Sequence, residues 1–441
     1  MADNGWRETT VGVLCDEGVL HTQTGPFGSQ LHSYDYVPSG VPVVPTEGIG
    51  RRRLLTEGIP EVAEETAARL SKHRLKAGDI LFARRGVQAT GLSAIVTSRQ
   101  EGWLCGTGAI LLRITDEAID PEFLSFLLSA EESVLWLKQH AVGAVMPNLN
   151  EGVIRQIPLT LPPLAEQKAI AAVLGALDDK IELNRRMNAT LEAMARALFQ
   201  SWFVDFDPVR AKLDGRPPAV LDPATAALFP AHFDHKAEGV VPAGWRATSL
   251  GEVIEISDSK RIPLSGRERE ARQGQYPYHG AASVMDYVDD FLFDGIYALM
   301  GEDGSVINQD GTPVLQYVWG KFWVNNHAHV LRGKNGISTE HLLLHLKGSN
   351  IAPFVNGAVQ PKLNQGNMNR IPFMLPPPEI GQAFAKTIEP LFAQIRANTD
   401  QSRTLATLRD TLLPKLLSGE LSVAATVAKS ATVQTGKETR P

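Results

Sequence analysis

Residues 143–163 read GAVMPNLNEGVIRQIPLTLPP, and residues 357–377 read GAVQPKLNQGNMNRIPFMLPP. The second stretch repeats the first without a gap, 214 residues further on, and the same offset carries Ile181 onto Ile395, Asn184 onto Asn398, Leu191 onto Leu405 and Leu198 onto Leu412. A period this long exceeds any solenoid unit and is the size of a whole domain. The chain therefore reads as two copies of one module, each a globular part followed by a long helix. Two similar surfaces in fixed relation suit a partner that is itself pseudo-symmetric, such as a split DNA site flanked by two subunits.

Working outward, the modules also open alike, with GWRETTVGVL from Gly5 and GWRATSLGEVI from Gly244. Between these edges lie short β-branched runs bounded by turn residues: GDILFARRG (78–86), LSAIVTS (92–98), AILLRI (109–114), GIYALMG (295–301) and HAHVLRG (327–333). Such runs are predicted strands. IDPEFLSFLL (119–128) and ISTEHLLLHL (337–346) occupy corresponding places and predict one short amphipathic helix in each copy. After Pro162-Pro163 and again after Pro376–Pro378, apolar residues step by fours and threes: Ile170, Leu174, Leu177, Ile181 onward, then Ile388, Leu391, Ile395 onward. This is a coiled-coil seam, and a helix of roughly 35 residues spans roughly 50 Å. Asn184 and Asn398 fall on the two seams, where they would pair and fix the register or else face water at its edge.

The fold class expected is α+β: two strand-rich globular domains separated by two long antiparallel coiled-coil helices, related by a pseudo-two-fold axis. The boundaries are 1–160 for the first domain, 161–206 for its helix, 207–243 for a linker with one short helix, 244–374 for the second domain and 375–421 for its helix. The last segment, 422–441, lacks periodicity and reads as a disordered tail.

With 43 basic and 49 acidic residues the chain does not coat nucleic acid by bulk charge, so DNA binding must come from local patches. Two cysteines, Cys15 and Cys105, make no disulfide framework and point to a reducing cytoplasm. The basic-apolar-small pattern expected of a leader is not seen in the sequence, and no apolar run reaches the ~18 residues of a membrane span.

Enzyme chemistry is missing where it should show. Pro-Pro occurs only in LPP, RPP and LPPP, never in the Asn/Asp-Pro-Pro-aromatic turn of an adenine methyltransferase. Gly-Lys at 320–321, 333–334 and 436–437 is followed by Phe, Asn and Glu, not the Ser or Thr of a phosphate loop. Three histidine pairs, His341/His345, His327/His329 and His232/His235, have metal-like spacing but no third ligand, so no metal is assigned.

The helical stretch LPPLAEQKAIAAVLGALDDKIELNRRMNATLEAMARALFQSWFVDFDPV (161–209) resembles the central conserved region of the specificity subunit of Type I restriction–modification enzymes. NGAVQPKLNQG and RDTLLPKLLSGEL resemble the end of its second target recognition domain and its distal conserved region. The likeness runs from Gly5 to Leu421, with one departure: Pro378-Glu379-Ile380-Gly381 stands where copy one has Leu164-Ala165-Glu166-Gln167. The resemblance implies a non-catalytic subunit in which each domain reads half of a bipartite double-stranded DNA target. The helices would dock two modification subunits, which motor-endonuclease restriction subunits join. S-adenosylmethionine, ATP and magnesium would belong to those partners.

Base readout needs Arg or Lys for guanine and Asn or Gln for adenine. Copy one offers Ser29 and Gln30 in GPFGSQLHS, Arg84 and Arg85 after GDILFA, and Gln88; Arg51-Arg52-Arg53 and Lys72-His73-Arg74 suit phosphates. Copy two offers Lys260, Arg261, Tyr278, His279, Asn325, Asn326 and His327. Strand alternation should send Arg84 and Arg85 to opposite faces. The P-x-L-N turns, shared by both copies, suggest a common backbone task, with Asn150 and Asn364 as caps. A duplicated protein-binding adaptor and an autonomous metal nuclease remain the alternatives.

Overall fold

A computed structural model describes residues 5–86, 89–143, 148–219, 221–236, 239–357 and 359–423. The tail read as disordered lies almost wholly outside them. Two helices carry the chain, Leu164–Phe199 of 36 residues and Pro378–Leu417 of 40. Each begins beside a proline pair, because proline cannot continue a preceding strand ladder yet fits a first helical turn. Contacts divide the chain into two compact units, Met1–Glu182 with Ser402–Pro441, and Leu183–Gln401, so both helices contribute to both units.

In the first unit, strands Leu20–Thr24, Ala109–Ile114, Ile80–Ala83 and Ser93–Ile95 form an antiparallel sheet in that spatial order. Its faces feed different cores. Ile80 and Phe82 point into a cluster with Phe123, Leu124 and Ile154, whereas Leu81 and Ala83 join Val44, Ile49 and Leu75 on the other side. That is the period-two alternation of a strand buried on both faces. A second four-stranded sheet ends in the parallel pair Val41–Val44 with Leu104–Cys105. Strand Arg7–Thr10 pairs with Pro158–Leu161, tying the module's start to its end.

The second unit repeats this order. Ile254–Ile256, Ala328–Gly333, Tyr297–Gly301 and Leu315–Val318 form the first sheet. The other holds a parallel pair, Gln273–His279 with Lys321–Val324, and Arg246–Ser249 closes on Pro372–Leu375. Residues 207–243, expected as a linker with one short helix, instead fold into helices Asp207–Leu213 and Pro223–Leu228 and a hairpin of Phe233–Lys236 with Gly239–Pro242. Val209, Phe229 and Val241 are buried there, and Phe229 stacks edge-on to Trp202. Enough apolar side chains punctuate the Pro/Ala-rich stretch to make it part of a core.

Each unit closes over both helices at equivalent positions. Ile170, Leu174, Leu413, Leu416 and Leu417 are buried in the first unit's main cluster. Ile388, Phe384, Phe199, Trp202 and Phe203 do the same in the second; these are the same places under the 214-residue offset. The helices run antiparallel within the second unit: Asn184 Nδ2 donates to the Asn398 carbonyl (3.2 Å) and Gln401 Oε1 (2.9 Å), while Asn188 Nδ2 donates to Thr399 Oγ1 (3.0 Å). Asn398 Nδ2 answers Asn188 Oδ1 at 2.9 Å. Asn184 and Asn398 are buried, so seam polar groups find partners across the pair instead of water.

The local departure between the copies has a packing reason. Gln167 is buried in the first unit, accepting from the Asp120 amide (3.0 Å) and donating to the Pro162 carbonyl (2.9 Å). Its counterpart Gly381 lies so close to the chain at Gly336 that a Cβ would stand 2.6 Å from that carbonyl oxygen. One copy bonds the neighbouring loop with a side chain; the other lets the loop rest on the bare helix.

An ionic lock fixes the first unit's helix. Arg52, in a left-handed conformation (φ 64°), pairs with Asp178 at 3.1 Å and Glu122 at 3.0 Å and lies over the Phe126 ring. Arg53 reaches Glu182 at 2.6 Å, and Arg409 reaches Asp178 at 2.7 Å. Asp178→Ala would remove the buried carboxylate that Arg52 and Arg409 share, leaving them only the more exposed Glu122 and Asp410. It is expected to destabilise the unit by about 2 kcal/mol, read by denaturant unfolding; a loss below ~1 kcal/mol would refute the lock.

In the second unit His341 takes the place of Phe123, each being the residue whose amide is capped, by Ser338 and Asp120 respectively. His341 is buried among Phe203, Phe384, Phe199 and Phe373, and its Nδ1 has no partner among the described residues. Burial, with the nearby His345, pushes its pKa down to about 3. The unfolded chain protonates first, near the ordinary ~6.5. The stability present above pH ~6.5 is thus lost as pH falls toward the folded value. His341→Phe should remove this contribution, so the stability gap between variant and wild type widens from pH 7 to pH 5. Parallel profiles would contradict it.

Candidate nucleic-acid interface

The duplicated P-x-L-N turn does one backbone job in both units. Asn150 and Asn364 accept from the amides of Val153 (3.0 Å) and Asn367 (2.8 Å), capping short helices. One residue earlier, the Leu149 amide donates to the Arg84 carbonyl (2.8 Å), and the Leu363 amide donates to that of Glu302 (2.9 Å). Asn148 bridges to Arg85 and Val142; Lys362 bridges to Asp303 and Asn356. The turn thus clamps the loop that leaves the third strand of each main sheet, and Arg84-Arg85 correspond to Glu302-Asp303.

The two arginines part company. Arg84 is half-buried, its Nε donating to Asn148 Oδ1 (3.0 Å) and the Leu149 carbonyl (3.1 Å). Arg85 is exposed, with no side-chain hydrogen bond or ion pair among the described residues. Ser29 and Gln30 are exposed, Gln30 Oε1 accepting from the Phe27 amide at 3.0 Å within its own loop. Gln88 lies outside the described residues. Arg51 is exposed with Nε on the Ser129 carbonyl (3.0 Å), and its neighbours Arg52 and Arg53 are committed to the helix lock rather than to solvent. His73 is buried against Gln23, and Arg74 pairs with Glu64.

In the second unit Lys260, Asn326 and His327 are exposed. The other four candidates face inward. Tyr278 is buried, its hydroxyl accepting from the Leu264 amide at 2.9 Å. His279 bonds Gln316 at 2.9 Å, and Asn325 Oδ1 accepts from the His327 amide at 2.8 Å. Arg261 donates to Glu302 (2.5 Å) and the Ala328 carbonyl (2.6 Å). The sequence reading overlooked Asp303, whose carboxylate accepts from Gln360 Nε2 (2.8 Å) and lies 3.3 Å from Lys362 Nζ and 3.8 Å from His327 Nδ1. A signal was available: Asn148 and Lys362 are the one difference inside the shared P-x-L-N.

Asp258, Glu302 and His329 are the one group of potential metal ligands that converges among the described residues. Its geometry is that of an ion-pair network. His329 donates from Nε2 to the Leu363 carbonyl (2.7 Å), which can only accept, and from Nδ1 to Asp258 (2.6 Å), leaving no lone pair for a cation. Burial would lower the His329 pKa, but the bond and charge of Asp258 outweigh it and hold it raised. Arg261 fills the remaining corner between Asp258 and Glu302. Neither His341 with His345 nor His232 with His235 belongs to a group of three potential ligands among the described residues, and in the third pair His327 is exposed while His329 is buried.

Two repeated α+β units with exposed polar loops at matching places define a duplicated recognition scaffold. The family described as "Type I restriction modification DNA specificity domain" matches residues 33–193 and 242–406. The chain belongs to this family; it is a DNA sequence-recognition subunit of a Type I restriction–modification complex and not a catalytic one. It is 27% identical over 327 residues to the Type I restriction enzyme MjaIX specificity subunit of Methanocaldococcus jannaschii, covering 70% of this chain and 71% of that one. It is 25% identical over 418 residues to the HindI specificity subunit of Haemophilus influenzae, covering 80% and 88%. The crystal structure of the Type-I restriction-modification system S subunit from M. genitalium superposes with a TM-score of 0.57 at 16% identity, covering 94% and 97%, a likeness of fold.

The contrast between the arginines is testable in the isolated chain. Arg84→Ala removes two bonds that hold the turn and should cost about 1–2 kcal/mol; Arg85→Ala should stay within about 0.5 kcal/mol of wild type. Equal losses in denaturant unfolding would mean Arg85 is part of the scaffold too.

Proposed function

We propose that each unit reads one half of a bipartite double-stranded DNA target. In this reading the paired helices set the gap between the half-sites and dock two modification subunits, which restriction and motor subunits join. The observation that carries it is the duplication itself: the backbone turn and sheet order are shared, while the side chains beside the turn differ. Shared scaffolding with divergent side chains is what two different half-sites require, because bases are told apart by side-chain donors and acceptors. S-adenosylmethionine, ATP and magnesium belong to the partner subunits in this assignment. No helix among the described residues is long and apolar enough to cross a membrane.

The helices act as a ruler in this proposal. Inserting four residues after Asn184 and four immediately before Asn398 adds opposed turns to the pair, lengthening it by about 6 Å. That corresponds to nearly two base pairs at ~3.4 Å each. Methylation mapping with the reconstituted complex should show a longer non-specific gap between unchanged half-sites. An unchanged gap with altered half-sites would overturn the ruler.

A further inference from the structure

The clamp made by the P-x-L-N turn places Arg85 and Asp303 at one and the same structural position. Each follows a strand of the main sheet by two residues, Ile80–Ala83 in one unit and Tyr297–Gly301 in the other. Each forms an isolated antiparallel bridge with the second residue of the turn, Asn148 or Lys362. The preceding residue is anchored identically, its amide donating to Gly108 (3.0 Å) or His327 (2.8 Å) and its carbonyl accepting from Leu149 or Leu363. Backbone position is therefore fixed by three shared interactions, and the side chain is left to vary.

What varies is charge and its surroundings. Arg85 is exposed and projects over Gly108, where a Cβ would lie 3.7 Å from its Nε. Asp303 has His327 at the place of Gly108, with Gln360 and Lys362 bonded to its carboxylate. Structural arginines in this chain behave otherwise: Arg52, Arg53, Arg113, Arg261 and Arg396 each hold a carboxylate. A guanidinium with no partner among the described residues, held at a rigid position, is pre-organised for a ligand with two adjacent acceptors, because its planar fork loses little freedom on binding. A carboxylate at the same spot rejects such a ligand and takes an amino group.

Resting on the reading that each unit recognises a half-site, the geometry points to this position as a base-reading position in both units. Arg85 takes the O6 and N7 acceptors of a guanine in one half-site. Asp303, steadied by Gln360 and Lys362, accepts from the exocyclic amino group of a base in the other, cytosine N4 being the major-groove donor that suits a carboxylate. The scaffold holds the two backbones alike, with Arg85 exposed and Asp303 half-buried against its partners, and their opposite charges make the half-sites differ at that step.

The test uses the full chain assembled with its modification subunits and a randomised duplex library methylated with S-adenosylmethionine, then sequenced. Wild type first defines the two half-sites. Arg85→Ala should lower discrimination for guanine at one base of one half-site by about tenfold, leaving the other half-site intact. Asp303→Asn, a near-isosteric change that keeps an oxygen acceptor for Gln360 and removes the charge facing Lys362, should relax one base of the opposite half-site and spare the first. If wild type selects a bipartite motif and either variant keeps full preference at every base, the inference fails while the half-site reading stands. If Arg85→Ala weakens all sequences alike, Arg85 is a phosphate contact and the inference also fails. If wild type selects no bipartite motif, the half-site reading itself falls.

Discussion

A helix of 36 or 40 residues with an apolar stripe cannot stand alone in water, and the rest of this molecule is arranged around covering two of them. Coverage comes from two sources in each unit. The partner helix supplies part of it, and the globular part supplies the rest by closing over the beginning of one helix and the end of the other. That Phe199, Trp202 and Phe203 correspond by offset to Leu413, Leu416 and Leu417 shows the solution was duplicated with the chain. Aromatic residues in one copy and leucines in the other fill the same places, which volume-tolerant packing permits as long as the whole cluster adjusts.

Polar contacts were free to diverge more than apolar ones. In the first unit, loop arginines reach carboxylates on the helix; in the second, Arg396 on the helix reaches Glu389 and the Tyr317 hydroxyl, with Glu340 at 3.6 Å. Glu340 and Glu122 occupy corresponding places on the short helix of each module. Burial and the neighbouring Glu340 push the Tyr317 hydroxyl well above its ordinary pKa, so it stays a neutral donor to that carboxylate. Direction of charge reversed between the copies, while the requirement that a half-buried charge find a partner did not.

The duplication, both long helices and the main strands were legible because each rests on local information: an offset, a period or a turn residue. AILLRI is a strand over its whole expected length, and the Asn150 and Asn364 caps lie where the turn chemistry puts them. The site was legible only in part. Arg261, Tyr278, His279 and Asn325 look like donors in sequence, yet their partners or covering residues come from other strands, up to 67 positions away for the Arg261–Ala328 bond. Arg52 and Arg53 looked free for phosphate, and the carboxylates that hold them lie on a helix more than a hundred residues downstream. Burial of a polar side chain is a tertiary property, and no local window contains it. The fold of 207–243 was missed for a related reason, since Pro and Ala content hides how few apolar residues suffice to join a neighbouring core.

These commitments bear on where DNA affinity comes from. The chain carries a formal net charge of −6, and many of its arginines are spent inside the units. Counterion release scales with the number of phosphates neutralised, and the arginines held by carboxylates inside the units are not available for it. If the units read bases as proposed, discrimination rests on the side chains these ion pairs leave free, since a guanidinium held inside a unit reaches neither a base nor a phosphate. Holding arginines inside the units suits such a reader, because a protein that bound every duplex tightly would spend its time on non-target DNA, and specificity is a difference of affinities rather than their sum.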